Sequence, residues 1–313
     1  MTDTDSCSLR MSTLSAVSEM RRGVLCGIGA YVIWGLFPLY WPLLKPAGSV
    51  EILGHRIIWS LAAVGGILAA RRHWRWVTAL RPRRLALLSA AAVFITVNWG
   101  IYIYAVNSGH TIEAALGYFI NPLVSVLLGV VFLRERLRPW QWAAVGTGAA
   151  AVAVLAIDYG RPPWIALILA GCFGTYGLLK KFAATPSTES LAVETAVLFL
   201  PALAYVLFQR HPTFAGHGIG HIVLIVGAGV ITAVPLLLFN SSATRVPLTV
   251  IGMLQYLTPI LQFLIGLLVQ HEAMPASRWT GFLLVWAALV ILSLDAVRAA
   301  RKNRRREPEP IAA

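Results

Sequence analysis

Ten long apolar runs, separated by short polar stretches, set the pattern of this chain. They cover 23–44, 50–70, 85–106, 111–133, 140–157, 164–179, 191–208, 219–239, 248–270 and 277–297. As α-helices these runs are long enough to cross a hydrocarbon layer about 30 Å thick. Only helices or closed barrels satisfy their backbone hydrogen bonds inside lipid. The pattern therefore predicts an all-α integral membrane protein with ten transmembrane helices. The first run follows a 22-residue polar head that lacks a small-residue cleavage signature. It reads as a retained span rather than a signal peptide.

A repeat lies over this pattern, and a repeat decides architecture. Adding 137 carries Tyr118 to Gln255, Pro122 to Pro259, Gly129 to Gly266, Glu135 to Glu272, Trp142 to Trp279 and Asp158 to Asp295. An offset of 142 lays Gly29, Tyr31, Trp34, Gly35 and Leu36 over Gly171, Phe173, Tyr176, Gly177 and Leu178. Each half has five spans, so the second half enters the membrane from the other side. The expected organisation is a cytoplasmic tail 1–22, a five-helix half 23–157, an inverted five-helix half 158–297 and a basic cytoplasmic tail 298–313. Inverted repeats place a site near the midplane, on helices interrupted by Gly or Pro in matching positions. Spans four and nine fit, with Pro122 and Gly129 against Pro259 and Gly266. Spans one and six fit too, with Gly35, Pro38 and Pro42 against Gly171, Gly174 and Gly177. Close helix packing is the other use of such small residues.

Composition agrees with a lipid environment: 58% of the 313 residues are hydrophobic and 12% charged, and mean hydropathy is +0.72. The net charge of +13 suggests nucleic acid until its distribution is followed. With loops assigned to alternate sides, 21 of the 26 Lys and Arg fall on the side of the amino terminus. Four, Lys45, Arg161, Arg210 and Arg278, fall on the other, and Arg56 lies inside span two. This asymmetry places both termini in the cytoplasm and makes membrane lipids rather than nucleic acid the partner of the basic tail. Cys7, Cys26 and Cys172 form no disulfide or metal framework.

Polar groups within spans face the bundle interior or a wet cavity. Tyr118, Asn121 and Ser125 share one helical face; their repeat partners Gln255, Thr258 and Gln262 are polar at every position, with Tyr256 beside them. These stripes either line a common cavity or bond helix to helix. Asn98 and Tyr102 share a face of span three, and Tyr31 and Trp34 lie in span one. In span two, Glu51 and His55 are one turn apart. Arg56 next to them has three open roles: snorkelling outwards, a structural ion pair, or holding an anionic substrate group through its planar fork. Glu51, Glu113 and Glu194 are candidates for proton coupling, with ordinary interfacial solvation as the alternative for the last two. Glu135 and Glu272, each just past the repeated helix, read as loop ties or caps.

Several segments together resemble the RarD branch of the EamA-type drug/metabolite transporter superfamily. They are Gly29 to Tyr40 (GAYVIWGLFPLY), Glu51 to Ser60 (EILGHRIIWS), Leu116 to Leu123 (LGYFINPL) and Leu254 to Phe263 (LQYLTPILQF). The similarity runs from about Gly23 to Asp295. It implies ten helices and an inner-membrane permease, in a branch whose name is tied to chloramphenicol sensitivity.

Catalytic signals are absent. There is no G-x-x-x-x-G-K-[ST], no G-x-S-x-G, and no H-E-x-x-H, since His271-Glu272 lacks the second His. No cofactor, metal site or catalytic residue is implied. The expectation is a secondary transporter that moves a small amphipathic metabolite or drug by alternating access. Ion-coupled export is the first reading, and uptake or facilitated diffusion the alternative. An intramembrane enzyme would need a nucleophile–base pair, and a sensor or scaffold would not need matched polar stripes. A monomer and a homodimer are both compatible with the chain.

Overall fold

Hydropathy and helicity end at different places in this chain. The structure, a computed structural model, describes residues 3–72, 74–78, 80–134 and 136–304. Its first helix, α1, runs Asp3–Gly35 and continues after a bend as the short turns Phe37–Tyr40 and Trp41–Leu44. Most of the polar head is thus helical, because leaving lipid does not by itself break backbone hydrogen bonds. There follow α2 (Ser49–Ala70), α3 (Pro82–Asn107), α4 (Thr111–Leu133), α5 (Pro139–Tyr159), α6 (Trp164–Ala183), α7 (Ser187–Phe208) and α8 (Gly218–Ala243). The ninth span, α9, is assembled from Leu248–Leu254, Leu257–Leu264 and a π-turn Ile265–Val269, and α10 is Ala276–Arg304. Nine of these spans are long and apolar enough to cross a membrane, and the pair bent by 40° at Leu36 makes the tenth. Pro82 and Pro139 open α3 and α5, where a missing N–H costs nothing. The described residues contain no strand. Glu135 and the end of the basic tail lie outside them.

Helix contacts obey the exchange of halves. The α4–α6 contact has its counterpart in α9–α1, α3–α6 in α8–α1, and α2–α8 in α7–α3, while α5–α10, α2–α7 and α4–α9 each join a helix to its own repeat counterpart. Two ion pairs obey it as well. Arg138 at the start of α5 meets Asp295 near the end of α10 at 2.5 Å. Arg278 at the start of α10 meets Asp158 near the end of α5 at 3.0 Å.

Lipid gives no hydrophobic drive between helices, so close approach must. A Cβ on Gly229 of α8 would stand 2.3 Å from the backbone of Trp59 on α2. One on Gly117 of α4 would stand 2.8 Å from Ala166 O on α6. The resulting centre holds a cluster around Phe37, Trp41, Ile52, Tyr102, Ile103 and Leu169, which α1, α2, α3 and α6 build together.

Candidate substrate-binding site

Arg56 sits two turns into α2 and is 3% exposed. Its side chain reaches across to the middle of α8, where Nε donates to Thr232 Oγ1 at 2.9 Å. Thr232 is kept in place by its own bond to Ala228 O, at 2.8 Å. The guanidinium lies 4.0 Å from the centroid of Trp99, 5.2 Å from Trp41 and 5.7 Å from Phe37. Three aromatic faces stabilise a cation without consuming its donors. Among the described residues no carboxylate forms an ion pair with it, and its Nη1 is buried without a partner. Outward snorkelling and a structural ion pair both disagree with this geometry.

Tyr102 and Tyr118 stand within electrostatic reach of the guanidinium. Their rings meet edge to face at 5.6 Å. Tyr118 donates to Asn98 Oδ1 at 3.1 Å, and Asn98 donates to Leu169 O at 3.0 Å, so α3, α4 and α6 are tied behind the site. The Tyr102 hydroxyl turns towards Gln262 on α9, yet neither Tyr102 Oη nor Gln262 Oε1 completes a hydrogen bond. Arg56, Asn98, Tyr102, Tyr118 and Gln262 therefore converge, from α2, α3, α4 and α9. The group is closed. Cavities of about 350 and 410 Å³ open elsewhere, beside Arg136 and Gln141 and between Leu68, Trp76 and Ala192.

The rest of the polar stripes does something else. Pro38 and Pro42 have no N–H, so the carbonyls four residues earlier, of Trp34 and Pro38, lose their helical donors. Gln262 Nε2 donates to Trp34 O at 3.3 Å and Gln270 Nε2 to Pro38 O at 3.2 Å. Thr258 donates to Tyr31 O at 2.8 Å. This face of α9 braces the bend of α1. Tyr31 and Trp34 meet each other and Phe239 edge-on or tilted, and Trp34 also packs on the cluster around Phe37 and Trp41. Asn121 points towards Gly174 on α6, with Oδ1 unpartnered. Gln255 is half-buried at the break of α9, and Tyr256 packs on the cluster of α4, α5 and α10. The matched prolines also diverge: α4 runs unbroken through Pro122, whereas α9 breaks four residues before Pro259.

The three carboxylates are already engaged. Glu51 accepts from Gln209 at 3.0 Å and from Thr213 N at 2.8 Å. Glu113 pairs with Arg161 at 3.0 Å and accepts from Ile165 N. Glu194 meets Lys180 at 3.1 Å, with Ser190 and Tyr176 also donating to it. Glu272 caps α4, accepting from Thr111 N and Ile112 N. His55 lies beside Glu51 with its ring stacked on Phe214.

Sequence reasoning missed Thr232 and the aromatic cage of Phe37, Trp41 and Trp99. Thr232 carried a signal, being a polar residue inside an apolar run; the aromatic residues were indistinguishable from core.

Comparison with known proteins bears on the chain as a whole. Protein RarD of Streptomyces exfoliatus is 58% identical over 298 residues, 94% of this chain and 95% of that protein. The uncharacterized transporter YojE of Bacillus subtilis is 43% identical, covering 92% of this chain and 98% of its own. The chloramphenicol-sensitive protein RarD of Pseudomonas aeruginosa is 31% identical, covering 91% and 98%. A solved structure titled only as a crystal structure of a protein shares the fold, with a TM-score of 0.59 at 20% identity over 87% of this chain and 97% of that one. The EamA-like transporter family matches residues 21–157 and 162–294. This multi-pass membrane protein belongs to the EamA-like transporter family.

Proposed function

We propose that the chain is a secondary transporter of a small amphipathic molecule with an anionic group, which it binds at Arg56 and moves by alternating access. One observation carries the reading: a buried guanidinium two turns into α2 with aromatic faces around it, no carboxylate paired with it among the described residues and a free Nη1. Leaving a charged donor unmet in a low-dielectric interior is costly, and a planar carboxylate or sulfonate would meet it through two parallel bonds. Trp99, Trp41 and Phe37 suit the apolar body of such a ligand. The inverted halves would rock about this site. The outer end, held by Glu272 and Gln270 against α4 and α1, would open in the alternate state. The protein would sit in a bacterial inner membrane with both termini cytoplasmic, as its basic residues are distributed. An ion gradient supplies the driving force. Export is the direction the sequence favoured, and uptake is the alternative.

The test is binding of a small aromatic anion, 4-nitrobenzenesulfonate, followed by quenching of tryptophan fluorescence in the purified full-length protein. Arg56→Lys keeps the charge and loses the fork. It is expected to weaken binding about tenfold or more at unchanged expression. Equal affinity in the two proteins would remove Arg56 from the site.

A further inference from the structure

A row of histidines descends beside the site, and nothing above uses it. His217 is exposed, and its Nδ1 lies 3.2 Å from Thr213 O. Donation there leaves Nε2 as the basic nitrogen. Its ring centroid is 5.4 Å from that of His221, which is 7% exposed and has an unpartnered Nε2. Thr213, whose carbonyl holds His217, is followed in the chain by Phe214, the ring on which His55 of α2 is stacked. His55 is 4% exposed, stacks on Phe214 at 4.7 Å, and has both ring nitrogens unpartnered. Its neighbour in sequence is Arg56.

Buried polar atoms are normally satisfied. Three unpartnered nitrogens on two packed helices, α2 and α8, therefore need a role other than packing. The described residues offer no cluster that would hold a metal ion, which leaves protons. Histidine is the side chain that exchanges protons between about pH 5 and 8. The other charged or titratable groups around His55 are few. Glu51 lies one turn earlier and is held by Gln209 and Thr213; Arg56 follows on α2; Tyr205 of α7 lies against Gly54. None of them hydrogen-bonds to His55.

We propose that His217, His221 and His55 form a proton path from the extracytoplasmic surface to Arg56, and that the path makes the protein a proton–anion symporter. The proposal rests on Arg56 being the anion site. A proton from outside binds His217 Nε2, passes to His221 Nε2 and then to a free nitrogen of His55. The 5.4 Å between the His217 and His221 rings is crossed by ring rotation or one bridging water, and water carries the proton on to His55. Only N–H bonds form and break, and one positive charge moves with the proton. His55 then adds a second charge beside Arg56, which strengthens the hold on an anion. By linkage the anion strengthens the hold on the proton to the same extent. Ligands that favour each other's binding travel together, whereas exchange would require them to compete. A proton gradient directed inwards thus drives uptake.

The probe is again 4-nitrobenzenesulfonate, which stays ionised throughout, so any pH dependence belongs to the protein. Wild-type full-length protein is expected to bind it on the order of tenfold more tightly at about pH 5.5 than at about pH 8. In His55→Gln that ratio falls to about one. In proteoliposomes with a trapped pH dye, an inward gradient of the probe should acidify the lumen. Equal wild-type affinity at the two pH values, or a lumen that turns alkaline, overturns the proton path. The Arg56 site survives that result if Arg56→Met still abolishes binding. Equal binding by wild type and Arg56→Met instead overturns the site itself. The wild-type profile and the lumen signal stand even if His55→Gln does not fold.

Discussion

Arg56→Met separates a residue kept for binding from one kept for folding. Methionine matches the stem of arginine as far as Nε, carries no charge, and would lie among Phe37, Trp41 and Trp99. The substitution removes one bond to a charged donor, worth about 1.5–3 kcal/mol, and three cation–π contacts of about 0.5–2 kcal/mol each. It also removes the desolvation of a buried ion, several kcal/mol after relaxation, and the unmet Nη1, about 1–3 kcal/mol. No partner is orphaned, because Thr232 still donates to Ala228 O and Tyr118 to Asn98. Methionine adds burial of its own, and replacing buried charges by apolar groups is often stabilising by about 1–4 kcal/mol. The expectation is a ligand-free protein more stable by about 1–3 kcal/mol that no longer binds the anion. The assay is thermal unfolding of wild type and variant in one detergent, with and without 4-nitrobenzenesulfonate. Only wild type should gain stability from the ligand. A variant less stable by about 2 kcal/mol or more would show that the guanidinium holds the bundle together, and the reasoning would fail.

A reporter active only outside the cytoplasm should stay silent when fused after Arg306 and give signal when inserted near Arg210; the reverse would refute the orientation read from the basic residues. Gly229→Ala drives a Cβ into the Trp59 backbone and should cost about 2–3 kcal/mol. Gly65→Ala, with nothing within 4 Å, should stay within about 0.5 kcal/mol; equal effects in unfolding assays would show that the α2–α8 contact is looser than described.

The spans were legible because hydropathy is a local property that lipid enforces residue by residue. So was the pairing of halves, since Asp158 and Asp295 recur at one offset and end in reciprocal ion pairs with Arg278 and Arg138. What could not be read was the use of each polar group. Gln262 and Thr258 looked like cavity lining by helical phase alone. Their partners are carbonyls of α1, more than 220 residues away, freed in part by Pro38. The clue was present, since prolines four apart orphan two carbonyls that need donors, but nothing local says which helix supplies them. Glu51 and Glu113 looked available for protons because helical phase does not show the loops that reach them at Thr213 and Arg161.

The duplication also isolates what is not duplicated. The two α5–α10 ion pairs and the main helix contacts recur under exchange of the halves, as a scaffold with two equivalent end states would require. Arg56 and His55 do not recur: α7, the counterpart of α2, contains no Lys, Arg or His, and α3, the counterpart of α8, contains no His. A symmetric frame thus carries a positive centre on one half only. A ligand held there would have its anionic end on α2 and its apolar body against Trp99, Trp41 and Phe37, all in the first half. Rocking would then change which end of the bundle this ligand faces without requiring it to leave Arg56. Because His55 lies next in sequence on the same rigid helix, a proton bound there would make the same passage.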